Sequence, residues 1–457
     1  MERRAAALLV VGGDFNDVGI AREAGGRTLY DAVRTRLSCR RNFLNQHQPD
    51  SWRVAVSRIL RIPSGTGRVV RARAATDCGS GAMTIIIEGV EKLSGAERYL
   101  YPLDCVFPTG SLTVLLGPIR SGKTTIMRLM AGLDQPTAGR ILEDNIDVTG
   151  RDVRKRNVAM VYQQFINYPN STVFENIASP IRVAGKLTSA ERDARVRALA
   201  ETLGLTPLLS RLPAQISGGQ QQRTALARAL AKNATLLLLD EPLVNLDYKL
   251  REELRSEMKA LFKSGERTTV YATTEPQEAL LLGGRTMVLA EGRLIQEGPA
   301  LEVYRRPANL AAARIVADPP MNFLPGEIAG EGAGGRSIRL TAGTVFEGPR
   351  GMETLAAGHY TFGLHAAHFD ARGDGAIELP AVVELAEVTG SQTLIHGRVG
   401  QQMLLRQTEG VHRAALGEKL MFRFNPADLY AFDARGDLAW SPSFEERGPR
   451  EVRHGAP

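Results

Sequence analysis

The chain has 457 residues, of which 43% are hydrophobic and 23% charged, a composition typical of folded globular proteins and not of a mostly disordered chain. No stretch reaches the roughly 18 consecutive apolar residues that a membrane-spanning helix needs, and three cysteines without a Cys-x-x-Cys pair exclude a disulfide framework and a cysteine-rich zinc site. We therefore expect a soluble protein of a reducing compartment with two or three domains.

The net charge of +7 is carried by the first 82 residues, which contain 14 Arg, no Lys and 7 acidic residues. The rest of the chain holds 43 basic and 43 acidic residues, so it lacks the excess positive charge that nucleic-acid binding requires, and we expect no nucleic-acid partner. Residues 1–82 show weak periodicity and no clear targeting signature. We interpret them as an extra amino-terminal segment, either a translated region upstream of a start at Met83 or a disordered one.

Residues 83 to about 320 alternate apolar strands with helical patterns, which predicts an α/β domain with a largely parallel sheet. The predicted strands are Met83–Glu88, Leu112–Gly117, Val158–Tyr162, Leu236–Asp240, Thr268–Thr273 and Met287–Ala290, and the predicted helices include Thr125–Ala131, Ser189–Leu203 and Gly218–Lys232.

From 321 to 457 the chain changes to short alternating segments separated by Gly and Pro. Examples are Ala381–Val388, Thr393–Val399 and Lys419–Phe424. This pattern predicts a small all-β domain, either barrel-like or sandwich-like.

A phosphate-binding loop follows the second predicted strand. Residues 117–124 match G-x-x-x-x-G-K-[ST]. They lie between a strand and a helix, which is the context that this motif requires. Backbone N–H groups of such a loop cradle phosphates, Lys123 can reach the β- and γ-phosphates, and the Thr124 hydroxyl can bind Mg²⁺. A glycine-rich turn with an unrelated lysine is the simpler interpretation, and the flanking strand and helix argue against it. The loop residues are Gly117, Pro118, Ile119, Arg120, Ser121, Gly122, Lys123, Thr124 and Thr125.

Two further motifs accompany the loop. The apolar strand Leu236–Asp240 ends in two carboxylates, of which Asp240 suits Mg²⁺ coordination and Glu241 suits a base that polarises an attacking water. A second glycine-rich helix start comprises Ser217, Gly218, Gly219 and Gln220. It can bind phosphate, be a simple capping box, or serve as both.

In this order and spacing, the three motifs resemble the nucleotide-binding subunit of ABC transporters, and the resemblance runs from about Met83 to the carboxyl terminus. The tail after about 320 resembles the TOBE (OB-like) regulatory domain of sugar and polyol importers. The segments Met160–Pro169 and Asp240–Arg251 resemble carbohydrate importer ATPases, especially the glycerol or glycerol-phosphate branch. The implied fold is a P-loop ATPase domain at 83–320, with a helical subdomain at about 165–234, followed by the β-rich domain at 321–457.

The resemblance also implies roles for individual residues. Gln163, 40 residues after Lys123, falls at the Q-loop, which touches Mg²⁺ and the membrane subunit. Asp247 falls at the D-loop. Ser217 to Gln220 form the signature motif, which completes the ATP site of a partner in a head-to-tail dimer.

Four positions depart from the family pattern. Thr274, 33 residues after Glu241, stands where the family has the H-loop histidine, and no histidine occurs between His47 and His359. A threonine hydroxyl cannot supply the oriented donor of an imidazole, so we expect a weakened site unless a water or neighbour compensates. Arg120 replaces a loop glycine, and a position that needs positive φ resists arginine. Ser94 replaces the aromatic that stacks on adenine, with Tyr99 and Tyr101 as nearby substitutes, and Val244 replaces a small polar residue.

The implied function is an ATP-hydrolysing, Mg²⁺-dependent subunit that energises a carbohydrate or polyol importer. It would lie on the cytoplasmic face of the inner membrane with two permease subunits, a second ATPase subunit and, indirectly, a solute-binding protein. Because Thr274 weakens only this chain's own site, a heterodimer is favoured over a homodimer. The alternatives are a non-catalytic nucleotide-binding regulator and a soluble non-transport ATPase.

Overall fold

The computed structural model describes residues 83–244, 248–263, 265, 267–332, 335–371 and 375–443, all within the unit Gly79–Pro457. The predicted extra segment 1–82 lies outside the described residues. The described residues form four sheets and eight α-helices. The helices are α1 Lys123–Ala131, α2 Val173–Ala184, α3 Ser189–Thr202, α4 Gly218–Ala231, α5 Tyr248–Lys263, α6 Pro276–Leu282, α7 Ala300–Arg305 and α8 Leu310–Val316.

The central sheet has six strands, of which five are parallel and the edge strand β10 is antiparallel to β9. Its spatial order is β10-β9-β3-β8-β7-β6, with bounds β3 Leu112–Leu116, β6 Val158–Val161, β7 Leu236–Asp240, β8 Thr268–Thr273, β9 Arg285–Ala290 and β10 Arg293–Pro299. Every residue of β7 and β8 is buried, as expected for parallel strands covered on both faces. The α/β prediction is confirmed.

Alternate residues of the central strands point into two separate cores. Leu237 and Leu239 of β7 pack toward helices α2, α3 and α4. Leu236 and Leu238 pack on the other side, against α1 and a four-stranded antiparallel sheet that the sequence pattern did not predict as a sheet. Its order is β2-β1-β4-β5, with β1 Ile85–Ser94, β2 Glu97–Phe107, β4 Ala138–Glu143 and β5 Ile146–Asp147.

Two antiparallel sheets follow and share one core, to which Phe362 contributes from one sheet and Phe422 from the other. This arrangement matches the sandwich-like form of the predicted all-β domain. The first sheet, in order, contains β13 Val345–Glu347, β12 Gly335–Leu340, β11 Asn322–Gly332, β14 Gly358–Leu364, β19 Tyr430–Phe432 and β20 Leu438–Trp440; the second contains β17 Gln402–Glu409, β16 Gln392–Val399, β15 Ile377–Val388 and β18 Lys419–Phe424.

A smaller apolar cluster joins helix α8 to the first of these two sheets. Ala313 and Ala317 pack there against Met321, Tyr430 and Phe432. The helices after β10 therefore connect the central sheet to the β-rich part through buried side chains.

The carboxyl ends of the parallel strands β3, β7 and β8 lie side by side because these strands are neighbours in register. In open α/β sheets, ligands bind beyond this edge. The turns that follow these three strands carry the phosphate loop, Glu241 and Thr274, respectively.

Candidate functional site

The phosphate loop connects β3 to α1 through backbone conformations that favour glycine. Gly122 has a φ of 102°, and a Cβ atom there would lie 2.6 Å from Leu100 Cδ2. A Cβ at Gly117 would collide with the carbonyl oxygen of Leu289. The loop therefore forms a cradle that added side-chain atoms at these two positions would fill.

Arg120 adopts a φ of 66° within this loop, which confirms the prediction of a position that resists arginine. The left-handed region costs a residue with a Cβ about 1–2 kcal/mol. The Arg120 side chain is exposed, as are Pro118 and Ile119, whereas Ser121 is buried. The substitution thus strains the backbone without filling the cradle.

Lys123 lies inside the cradle, with only 4% of its surface exposed. Its Nζ donates hydrogen bonds to the carbonyl oxygens of Gly117 (2.7 Å) and Pro118 (3.0 Å) and lies 3.7 Å from Glu241 Oε1. Burial lowers the pKa of Lys123, and the carboxylates of Glu241 and Asp240 oppose that shift. A phosphate oxygen entering the loop can take the place of the carbonyl partners and offset the same burial.

Thr124 and Asp240 supply a pair of oxygens at the sheet edge. The Thr124 hydroxyl donates to Asp240 Oδ2 at 2.9 Å. Burial raises the pKa of Asp240, and the Thr124 hydrogen bond partly opposes the shift. Among the described residues, the nearby buried Ser121 hydroxyl has no hydrogen-bond partner. A carboxylate, a hydroxyl and an unsatisfied loop hydroxyl fit a Mg²⁺–phosphate group, because Mg²⁺ binds one or two protein oxygens together with phosphates.

Glu241 follows the strand end in a strained conformation, with a φ of 48°. Its N–H donates to the carbonyl oxygen of Ala272 at 3.0 Å, and its Oε2 accepts a hydrogen bond from Gln163 Nε2 at 2.9 Å. Strained backbone of this kind persists where neighbouring structure enforces it and clusters at functional sites. The structure therefore brings together Lys123, Glu241 and Gln163, which are far apart in sequence.

Thr274 lies beside Glu241 in a half-buried turn. The two residues line one small pocket that is open to solvent, whose volume of about 10 Å³ is near the minimum that holds a single water molecule. Val244, Thr273, Glu275 and Glu278 complete the lining.

The signature residues begin helix α4 at a distance from this cluster. Ser217 caps the helix: its side chain accepts from the Gln220 N–H, while Gln220 Oε1 accepts from the Ser217 N–H at 3.0 Å. Ser217 and Gly218 are exposed, and Gly219 and Gln220 are half-buried. No hydrogen bond or ion pair joins these four residues to residues 117–125 within the described part of the chain.

Of the other predicted positions, Thr125 is half-buried in the first turn of α1, and Asp247 lies outside the described residues. Ser94 ends β1. The ring of Tyr101 is covered by the guanidinium of Arg293, 3.4 Å from the ring centroid, whereas Tyr99 is 43% exposed.

Sequence reasoning missed two buried contacts around the site. Gln222 on α4 donates from Nε2 to the carbonyl oxygen of Pro242, next to Glu241. The hydroxyl of Tyr271 donates to Glu278 Oε2 at 2.9 Å, and burial raises the pKa of Glu278. The hydroxyl-bearing Tyr271 inside the buried strand β8 could have signalled the second contact, whereas Gln222 lies in the polar run Gln220–Arg223 and gives no such signal.

A parallel sheet with a glycine cradle, a buried lysine, a hydroxyl–carboxylate pair and a second carboxylate at the end of another parallel strand defines a P-loop nucleoside triphosphatase. Comparisons with known proteins agree: the profile of the family described as ABC transporter matches residues 100–244, and that of the TOBE domain matches residues 363–432.

Two relatives extend this similarity to most of the chain. The alpha-glucoside transport ATP-binding protein AglK of Rhizobium meliloti (strain 1021) is 35% identical over 77% of this chain and 98% of its own length. The sn-glycerol-3-phosphate import ATP-binding protein UgpC of Salmonella typhi is 34% identical over 74% of this chain and 94% of its own length. The chain therefore belongs to the family of ABC transporter ATP-binding proteins and is an ABC-type ATPase with a carboxyl-terminal TOBE domain.

Among solved structures, the dimeric post-hydrolysis ATP-binding cassette MJ0796 bound to ADP and Pi is 30% identical, with a TM-score of 0.44, and the match covers 47% of this chain and 98% of that one.

Proposed function

We propose that this chain binds and hydrolyses Mg²⁺-ATP to power the import of a carbohydrate or polyol, with glycerol or glycerol phosphate as the first candidate solute. The observation that carries the proposal is the convergence of Lys123, Thr124, Asp240 and Glu241 at one sheet edge. The solute class rests on the names of the relatives, which transport alpha-glucoside and sn-glycerol-3-phosphate.

Each residue has a distinct task in this proposal. Lys123 neutralises the β- and γ-phosphates, Thr124 and Asp240 hold the cation through oxygen, and Glu241 accepts hydrogen bonds from the attacking water and orients it. Gln163, which already donates to Glu241, keeps that carboxylate turned toward the phosphate. Mg²⁺, when bound, would supply positive charge that stabilises the negative charge of the phosphates.

The proposed partners are two permease subunits, a second ATPase subunit and, indirectly, a solute-binding protein, with the chain on the cytoplasmic face of the inner membrane. Among the described residues, no helix combines the length and apolarity needed to cross a bilayer. Near Gln163 the surface exposes Ile166 (60%) and Tyr168 (52%), and exposed apolar side chains of this kind suit a docking partner.

A second candidate function, a non-catalytic nucleotide-binding regulator, is favoured by one observation, the absence of a histidine at Thr274. Retention of Glu241 beside Lys123 argues for hydrolysis, because a protein that only binds ATP does not need that carboxylate.

Steady-state ATP hydrolysis by the purified full-length chain across a protein concentration series tests the proposal. We expect Mg²⁺-dependent turnover that Glu241→Gln abolishes while ATP binding persists, and we expect Lys123→Ala to weaken binding itself. Val345→Thr, an exposed strand residue of the β-rich part, is the control and should match the wild type. ATP binding without turnover at any concentration would favour the regulatory function, and absence of binding would refute both.

A further inference from the structure

Helix α5 is attached to the turn that carries Thr274 by two arginines. Arg251 Nη1 contacts both carboxylate oxygens of Glu275, at 2.7 and 3.0 Å. One helical turn later, Arg255 Nη2 lies 3.9 Å from Glu278 Oε1. Residues four apart share one face of a helix, so both arginines are directed at the first turn of α6, which starts two residues after Thr274.

The turn held in this way forms one wall of the small pocket that Glu241 also lines. Arg251 also contacts a second lining residue of the pocket, because its Nη2 donates to the carbonyl oxygen of Val244 at 3.5 Å. One guanidinium thus contacts the segment that follows Glu241 and the segment that follows Thr273. A planar group with five donors in fixed directions is suited to such a double contact.

The Thr274 side chain does not provide this attachment itself. Within the described residues its hydroxyl forms no hydrogen bond, and Glu275 is fixed by its N–H, which donates to Thr273 Oγ1 at 3.0 Å, and by Arg251. The position of Thr274 relative to Glu241 therefore depends on the contact that Arg251 makes with Glu275.

We propose that Arg251 is a positioning residue for ATP hydrolysis: through Glu275 and the Val244 carbonyl it holds the Thr274 turn at the working distance from Glu241. The proposal rests on the proposed hydrolytic function and deepens it. Arg251 has no contact with the phosphate loop among the described residues, so its loss should leave ATP binding unchanged. A misplacement of about 1 Å at reacting groups can slow a reaction up to roughly 100-fold, and we expect Arg251→Gln to lower kcat about tenfold.

A purely structural role predicts a different result. The Arg251 and Glu275 side chains are 23% and 38% exposed, and ion pairs with such exposure contribute little to global stability. The Arg285–Glu297 pair, at 2.6 Å with 38% and 37% exposure, joins β10 to β9 away from the pocket. Arg285→Gln is therefore the matched control for loss of a surface ion pair.

The experiment uses the full chain and the variants Arg251→Gln, Arg251→Lys, Glu275→Gln and the Arg251→Gln/Glu275→Gln double variant, with Arg285→Gln as control. Three quantities are measured: single-turnover kcat, the Kd for Mg²⁺-ATP, and hydrogen exchange of backbone amides at 271–279 with ATP bound. Glu275→Gln guards against misfolding of the arginine variant, because it removes only one charge from a half-buried side chain.

We expect Arg251→Gln and Glu275→Gln each to lower kcat about tenfold at unchanged Kd and to speed amide exchange at 271–279. Arg251→Lys should recover part of the kcat, and the double variant should show no further loss of kcat. Behaviour equal to the control, or a loss confined to Kd, would overturn the proposal. If the wild type binds ATP but does not hydrolyse it, the proposed hydrolytic function fails. The exchange measurement then decides whether Arg251 positions the Thr274 turn: exchange unchanged in Arg251→Gln overturns that role, and exchange faster than in the control supports it.

Discussion

Restoring a histidine at position 274 tests whether the departure from the family pattern limits the rate. The Thr274 side chain is half-buried at the rim of the pocket that it shares with Glu241, and its hydroxyl is shorter than an imidazole. An oriented donor to the developing charge of a transition state is worth about 3–4 kcal/mol, or roughly 10²–10³ in kcat. Thr274→His places an imidazole N–H donor at a position that lines the same pocket as Glu241.

The assay is single-turnover hydrolysis at saturating Mg²⁺-ATP, with the Kd measured separately. We expect Thr274→His to raise kcat by at least tenfold at nearly constant Kd. Thr274→Phe introduces a ring of similar size without a donor, and Thr274→Ala removes only the hydroxyl. Equal rates for the His and Phe variants would show that a missing donor does not limit hydrolysis, and a loss of rate in Thr274→Ala would show that the native hydroxyl already contributes.

Three further outcomes follow from the site and the β-rich part. Burial lowers the pKa of His365 from 6.5 to about 4. Because the unfolded state binds more protons between these pH values, the free energy of unfolding should fall by about 3 kcal/mol as pH drops from 6.5 to 4. Urea unfolding should show a smaller fall in His365→Gln, and equal falls in the two proteins would contradict the assignment. Arg120→Gly should stabilise the chain by about 0.5–1 kcal/mol, since relief of left-handed strain exceeds the added flexibility of glycine; a lower urea midpoint would contradict this. Asp240→Asn keeps an acceptor for Thr124 but removes the charge, so the Mg²⁺ concentration for half-maximal ATP binding should rise about tenfold, whereas an unchanged value would place the cation elsewhere.

The chemistry-bearing parts of the site were predictable because each is local in sequence. A buried strand followed by a glycine-rich loop and a helix specifies a phosphate cradle over nine consecutive residues. Leu236–Asp240 places two carboxylates at the end of another strand of the same sheet in the same way. The helix start was predicted at Thr125 but occurs at Lys123, because Gly122 already supplies the turn into the helix.

The antiparallel sheet was not predictable from strand patterns alone. Strand β2 breaks strict alternation: Leu100 and Leu103 are both buried, and the pairing with β1 shifts register at Val90 and again at Lys92. Period-two alternation is the signal by which a half-buried strand is recognised, and such irregularities erase it. Burial alternates cleanly over the short stretches 85–87 of β1 and 103–107 of β2.

The contacts around Thr274 were beyond sequence reasoning for a different reason. Arg251 and Glu275 are 24 residues apart, and Arg255 and Glu278 are 23 apart, so no window of one helix or strand contains either pair. Their partners are decided by the packing of α5 beside the β8–α6 turn. A single sequence contains the charges but not the pairing.

The placement of the signature motif bears on how many chains make a working site. Ser217 begins α4 with its hydroxyl used as a cap and its surface exposed, and among the described residues no hydrogen bond or ion pair joins it to Lys123 of its own chain. A helix start of this kind can bind phosphate, and in the proposed dimer that phosphate belongs to the nucleotide of the second ATPase subunit. The substitution at Thr274 leaves Ser217 and Gly219 untouched. We therefore expect this chain to complete a partner's ATP site at full strength while its own site stays slower, an asymmetry that favours a non-identical partner which retains the histidine. Native co-purification that yields only homodimers would contradict this expectation.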